Sequence, residues 1–106
     1  MDANTVAVTI RNQIMVGEVP GCQNGRHAMM CWGFNAPMCG TEDDGLHYLV
    51  FKVSGRRFQG KVKVRLDGND TYSIHFYKQS WDGWKMQDNN VYCEELAETL
   101  DAFIEK

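Results

Sequence analysis

The stretch KVKVRLDGNDTYSIHFYK, residues 61–78, decides how this chain is read. Its opening alternates strictly: Val62, Val64 and Leu66 fall on one side of an extended strand, and Lys61, Lys63 and Arg65 on the other. DGND (67–70) is a turn by residue type. The alternation then resumes, with Tyr72, Ile74 and Phe76 against Thr71, Ser73, His75 and Tyr77. If Val64 stands opposite Ile74, the two apolar faces coincide, and Lys61, Lys63 and Arg65 face Tyr77, His75 and Ser73. The expectation is an antiparallel hairpin, apolar beneath and cationic above. His75 should then titrate low, because a neighbouring cation disfavours its charged form.

On the N-terminal side, LHYLVFKV (46–53) is a nearly continuous apolar strand suited to the middle of a sheet. The connecting GRRF (55–58) carries Arg56 and Arg57. Residues 52–65 thus hold six of the eleven basic residues and no acid, in a chain of formal net charge −3. On the C-terminal side, Asp82-Gly83 is a hairpin turn signal flanked by Trp81 and Trp84, with a short strand over 85–87 expected after it. DNN (88–90) supplies helix caps, Asn90 foremost. Tyr92, Leu96, Leu100 and Phe103 then form an apolar stripe with Ile104 beside it, and Glu94, Glu95, Glu98, Asp101 and Glu105 cover the solvent side.

Residues 4–16 fit two patterns. Ala3, Ala7, Ile10 and Ile14 have helical spacing, whereas Val6, Val8 and Ile10 alternate as in a strand; the helix is favoured, with Asp2 or Asn4 as its cap. GEVPGCQNGR (17–26) reads as a loop, HAMMCWGF (27–34) as a short strand and NAPMCGTEDDG (35–45) as a second loop.

The run LVFKVSGRRFQGKVKVRLDGNDTYSIHFYK, followed by VYCEELAETLDAFIEK, resembles a group of small proteins encoded by phages and other bacterial mobile elements. The shared pattern is Phe51-Lys52, the Arg56-Arg57 loop, the alternating Val62 to Leu66, Asp70-x-Tyr72-x-Ile74-x-Phe76, and a helix led by Tyr92. It spans roughly three quarters of the chain. The resemblance implies a helix ahead of the sheet, which supports the helical reading of 4–16, and it brings no catalytic residue with it. The Cys- and Met-rich run and the Trp pair lie outside the shared pattern.

Composition agrees with one globular domain over residues 1–106: 43% of residues are hydrophobic and 24% charged. No apolar run approaches the roughly 20 residues of a membrane span, and MDANT opens no secretory signal, so a cytoplasmic protein with no membrane partner is expected. Cysteines 22, 31, 39 and 93 are then expected to stay reduced, Cys31 and Cys93 as small buried thiols. Cys22, His27, Cys31 and Cys39 lack the close cysteine pair of a compact zinc site, so no metal or cofactor is expected. TEDDG (41–45) and DGND read as solvated turns before cation sites. Phosphate-binding loops, nucleophile elbows and His-Glu-x-x-His are missing, and the three histidines are scattered.

The expected fold is α+β: an antiparallel meander of four to five strands, with an N-terminal and a C-terminal helix on the face carrying Phe51, Val62, Val64, Ile74 and Phe76. The expected function is a non-catalytic binding module of mobile-element type. Its basic face (Arg56, Arg57, Lys61, Lys63, Arg65, His75, Tyr77) would meet a host protein or nucleic acid, cations for phosphates and rings for stacked bases. The plainer account of that face is the wet side of a half-covered sheet. Two alternatives stand beside it. One is a homodimer or larger homo-oligomer joined through exposed aromatics such as Trp81 and Trp84. The other is a small metal- or thiol-dependent enzyme using Cys31, Cys93, His27 or the acidic loop.

Overall fold

A computed structural model describes residues 2–19, 21–22, 24–67 and 71–105. The elements run α1 (Ala3–Val16), α2 (Gly25–Trp32), β1 (Asn35–Thr41), β2 (His47–Ser54), β3 (Gln59–Leu66), β4 (Tyr72–Tyr77), β5 (Lys85–Val91), a 3₁₀ turn (Cys93–Glu95) and α3 (Leu96–Ile104). The strands form one antiparallel sheet in the order β1-β2-β3-β4-β5, a meander, and the fold is α+β.

The β3–β4 register is the one that alternation dictates: Val64 pairs with Ile74, Lys63 with His75, Arg65 with Ser73 and Lys61 with Tyr77. A slip of one residue would turn every apolar side chain of one strand to water, so burial of one face holds the register. Val62, Val64 and Ile74 are fully buried. The turn expected over DGND falls on Gly68, Asn69 and Asp70, outside the described residues; on its near side Asp67 donates its N–H to the carbonyl of Thr71.

α1 starts where Asp2 accepts the Thr5 N–H at 2.8 Å. It buries Val6, Ala7, Ile10 and Ile14, so its stripe is helical and the strand reading of 4–16 falls away.

The strand expected over HAMMCWGF is instead α2. Asn24 caps it by accepting the His27 N–H at 3.0 Å, and Gly33, at φ 68°, ends it in a left-handed turn. Ala28, Met29 and Trp32 are buried together, a grouping that helical periodicity allows and alternation does not. Cys31 consequently points to solvent and is no buried strand thiol. The following loop expected over 35–45 contains β1, an edge strand paired with β2 through Met38↔Val50, Cys39↔Leu49 and Gly40↔Tyr48. Pro37 disguised it; proline is tolerated on an edge, where its missing N–H costs no ladder bond.

At the other edge β5 runs to Val91, beyond the expected 85–87, because Val91 pairs with Tyr72 and is buried. Asn90 therefore lies in the strand at φ 55° and caps no helix. The apolar stripe shifts accordingly. Leu96, Ala97, Leu100 and Ile104 are buried, whereas Tyr92 is 56% exposed. Asp101, expected at the surface, is buried and accepts the Trp32 indole N–H at 2.9 Å. Cys93 stands exposed on the 3₁₀ turn.

All three helices supply the core beneath one face of the sheet, against Leu49, Phe51, Val53, Val62, Val64, Ile74 and Phe76. Phe76 stacks on Phe103 of α3 at 3.9 Å between ring centroids, and Phe58 meets Phe76 edge-on at 5.0 Å. Tyr72 donates its hydroxyl hydrogen bond to the side chain of Gln13, tying β4 to α1. Among the described residues no helix is long and apolar enough to cross a membrane.

Candidate binding face

Pairing places Tyr48, Val50 and Lys52 of β2 beside Arg65, Lys63 and Lys61 of β3, and these beside Ser73, His75 and Tyr77 of β4. Met38 of β1 and Met86 of β5 join them through Val50 and His75. All of these residues alternate with the core residues and lie on the face opposite the helices. Lys61, Lys63, Arg65, His75 and Tyr77 are thus brought together as the sequence suggested.

Arg56 and Arg57 are not part of that group. Their loop is fastened to the end of α3: the Arg57 and Phe58 N–H groups donate to the Ile104 carbonyl at 2.9 and 3.3 Å, and the Arg56 N–H donates to the Glu105 carboxylate at 2.9 Å. Arg57 lines a groove with Thr99, Ala102 and Phe103, on the helix side. The two tryptophans also part company. Trp81 turns to Phe58 and the core at 5.9 Å, whereas Trp84 packs on Tyr77 at 5.6 Å above the open face. They do not pack on each other across a tight turn.

The charge of the face differs from what composition suggests. Lys63 Nζ lies 2.8 Å from Glu42 Oε1, and 5.2 and 5.1 Å from the ring centres of Tyr48 and Trp84. Arg65 Nε lies 3.0 Å from Asp67 Oδ1, and the Ser73 hydroxyl donates to Asp67 Oδ2 at 2.6 Å. Both cations are therefore neutralised from within the chain, and their side chains are largely covered, Lys63 keeping 13% and Arg65 25% of its exposure. The acidic loop holds Lys63 through Glu42 and closes its own turn, Asp44 accepting the Leu46 N–H at 3.2 Å.

Lys61 is different. It is exposed, stands directly opposite the exposed Lys52, and its Nζ lies 5.9 Å from the Tyr77 ring centre. Among the described residues neither lysine has an acid within ion-pair distance. The pair forms a ridge between two open depressions. One, of about 360 Å³, is bounded by Met38, Tyr48, Val50 and Trp84; the other, of about 520 Å³, by Asn35, Tyr77 and Gln79. The sequence placed Lys52 near this face but did not point to Tyr48 and Val50, because an almost unbroken apolar β2 hides which side chains face up, nor to Met38, which lies in the segment expected as a loop. The alternation Tyr48-Val50-Lys52 against Leu49-Phe51-Val53 is the signal, and it becomes legible only once β3 sets the phase.

His75 sits among these groups with Nδ1 buried and lacking a hydrogen-bond partner among the described residues. Burial first, then Lys63 and Arg65, depress its pKa below the ordinary histidine value; Glu42 and Asp67 oppose them weakly. The unfolded chain therefore binds a proton more readily than the folded one. Stability from this group is complete above about pH 6.5 and declines as pH falls through that value towards the folded pKa. We expect the His75 midpoint, followed by NMR, to lie below 6.5, and Lys63→Met to restore only part of the shift, since burial is the larger cause. A midpoint that Lys63→Met returns fully to 6.5 would make the cation the main cause.

Cys31, Cys39 and Cys93 are exposed and Cys22 is half-buried, and no disulfide joins them. Among the described residues no three His, Cys, Asp or Glu side chains group as a metal would require. The Cys22, His27, Cys31 and Cys39 spacing is divided between the approach to α2, α2 itself and β1. No protein-family model, curated protein or solved structure matches the chain.

Proposed function

We propose that this protein is a small non-catalytic binding module, of the kind phages and other mobile elements encode, which engages a macromolecular partner across the open face of its sheet. One observation carries the reading. Lys52 and Lys61 oppose each other with no acid within ion-pair distance among the described residues, on the rim of a depression lined by Met38 and Trp84, with Met86 farther along the same face beside His75; the fold leaves these three 67%, 39% and 57% exposed. Like charges directly opposite on neighbouring strands disfavour pairing, so the lysine pair works against the sheet's own stability. Methionine and tryptophan gathered on one surface are typical of the centre of interfaces. The sequence resemblance supports the mobile-element setting. The same exposed apolar groups support self-association as the second reading.

Truncation of an interface tryptophan costs about 2 kcal/mol or more at a binding hot spot, roughly a thirtyfold loss of affinity. Trp84→Ala is therefore expected to weaken capture of a host partner at least tenfold, with the circular-dichroism spectrum unchanged. Arg57→Ala, on the helix side, is expected to leave capture intact. Equal capture by wild type and Trp84→Ala would remove the open face as the binding surface. A light-scattering mass of twice the monomer, reduced to one chain in Trp84→Ala, would favour self-association.

A further inference from the structure

Resting on that reading, we infer that the occupant of the open face is a protein segment with a carboxylate beside a large apolar side chain. The carboxylate seats between Lys52 and Lys61, and the apolar group enters the depression bounded by Met38, Val50 and Trp84.

The lysine pair is an anion site by arrangement. Directly opposed residues on adjacent strands have Cβ atoms about 5 Å apart, so both ammonium groups reach one anion. The chain provides no acid of its own there among the described residues. The apolar depression shares both lysines as its rim, so one short segment spans the two.

A strand of nucleic acid fits less well. It needs a row of cations to follow its phosphates and free ring faces for its bases. Along β3 the next two cations are held by Glu42 and Asp67, and Asp43 and Asp44 lie exposed beyond them. The Lys63 ammonium already lies over the Tyr48 and Trp84 rings. A single carboxylate on a mostly apolar segment needs neither a row of cations nor a bare ring.

Addition of a partner strand at a sheet edge fits poorly too. β1 is broken by an irregularity between Asn35 and Met38, with Pro37 and the positive-φ Ala36 inside it. β5 has two register shifts and the positive-φ Asn90. Such features disrupt the row of edge hydrogen bonds that an added strand would need. The face is what remains available.

The test is a titration of the isotope-labelled full chain, followed by NMR, with three probes: an acetylated hexapeptide of alternating aspartate and leucine, its asparagine–leucine counterpart, and decathymidylate. The aspartate–leucine peptide is expected to move the signals of Val50, Lys52, Lys61 and the Trp84 indole. The asparagine–leucine peptide and decathymidylate are expected to bind at least tenfold more weakly. Lys52→Ser with Lys61→Ser should cost the aspartate–leucine peptide at least tenfold, and Trp84→Ala a similar factor. Decathymidylate binding these residues more tightly than the peptide would overturn the protein partner while leaving the face as the binding surface. Dilution alone moving the same signals, with a mass of two chains, would overturn a separate partner protein in favour of a second copy of this chain on the same face. If no probe moves the face and Trp84→Ala also leaves host-partner capture unchanged, both this inference and the proposed function fall.

Discussion

Trp32→Ala is expected to lower the free energy of unfolding by about 3–5 kcal/mol, a large share of the roughly 5–15 kcal/mol that holds a domain of this size together. Trp32 is fully buried at the end of α2, and its indole N–H donates to the buried Asp101 of α3. Alanine removes the packing of an entire indole and withdraws a donor from a carboxylate that has left water. Trp32→Phe separates the two effects. It keeps most of the volume and loses the hydrogen bond, for an expected cost of about 1–3 kcal/mol. Urea unfolding measures both. A loss below about 1 kcal/mol for Trp32→Ala would mean that α2 does not dock on α3 through this residue.

Gly25→Ala is the second large effect, and its sign is the informative part. Alanine is ordinarily the better residue in a helix by about 1 kcal/mol. Here the helix begins against the end of α1: the Gly25 N–H donates to the Gly17 carbonyl at 2.8 Å, and a Cβ at residue 25 would overlap the backbone carbonyl of Ile14. A backbone atom has no rotamer through which to withdraw, so the two helices must separate. The expected result is a loss of about 3 kcal/mol, at the upper end of overpacking costs. Met30→Ala on the exposed side of the same helix should change stability by less than about 0.5 kcal/mol. A neutral or stabilising Gly25→Ala would show that α1 and α2 do not meet this closely.

These effects lie in the segment where reading and structure differ most. The β3–β4 hairpin could be read from residues 61–78 because a strand has a period of two and this sheet buries one side only. α1 followed from the spacing of Ala7, Ile10 and Ile14. HAMMCWGF reads as a strand yet folds as α2, because eight residues with apolar groups at 28, 29, 30, 32 and 34 satisfy neither period cleanly. What resolves it is a cap at Asn24, a left-handed stop at Gly33 and a buried partner at Asp101, which lies 69 residues away from Trp32. β1 and the end of β5 are edges, where half of the ladder is absent and Pro37 and Asn90 are tolerated. Local residue preference carries little information there.

The binding face divides in the same way. Alternation alone determined that Lys61, Lys63, Arg65, His75 and Tyr77 share one side of the sheet, away from Val62, Val64 and Ile74, because each side chain's direction follows from its parity along the strand. Only the tertiary structure decided which of those charges remain available. Glu42 reaches Lys63 across 21 positions of sequence, Asp67 turns back on Arg65, the arginine loop is drawn to the end of α3, and Lys52 arrives opposite Lys61. Charge pairing acts through space over a few ångströms, and the chain's path through the turns sets those distances, which the order of residues along a strand does not encode.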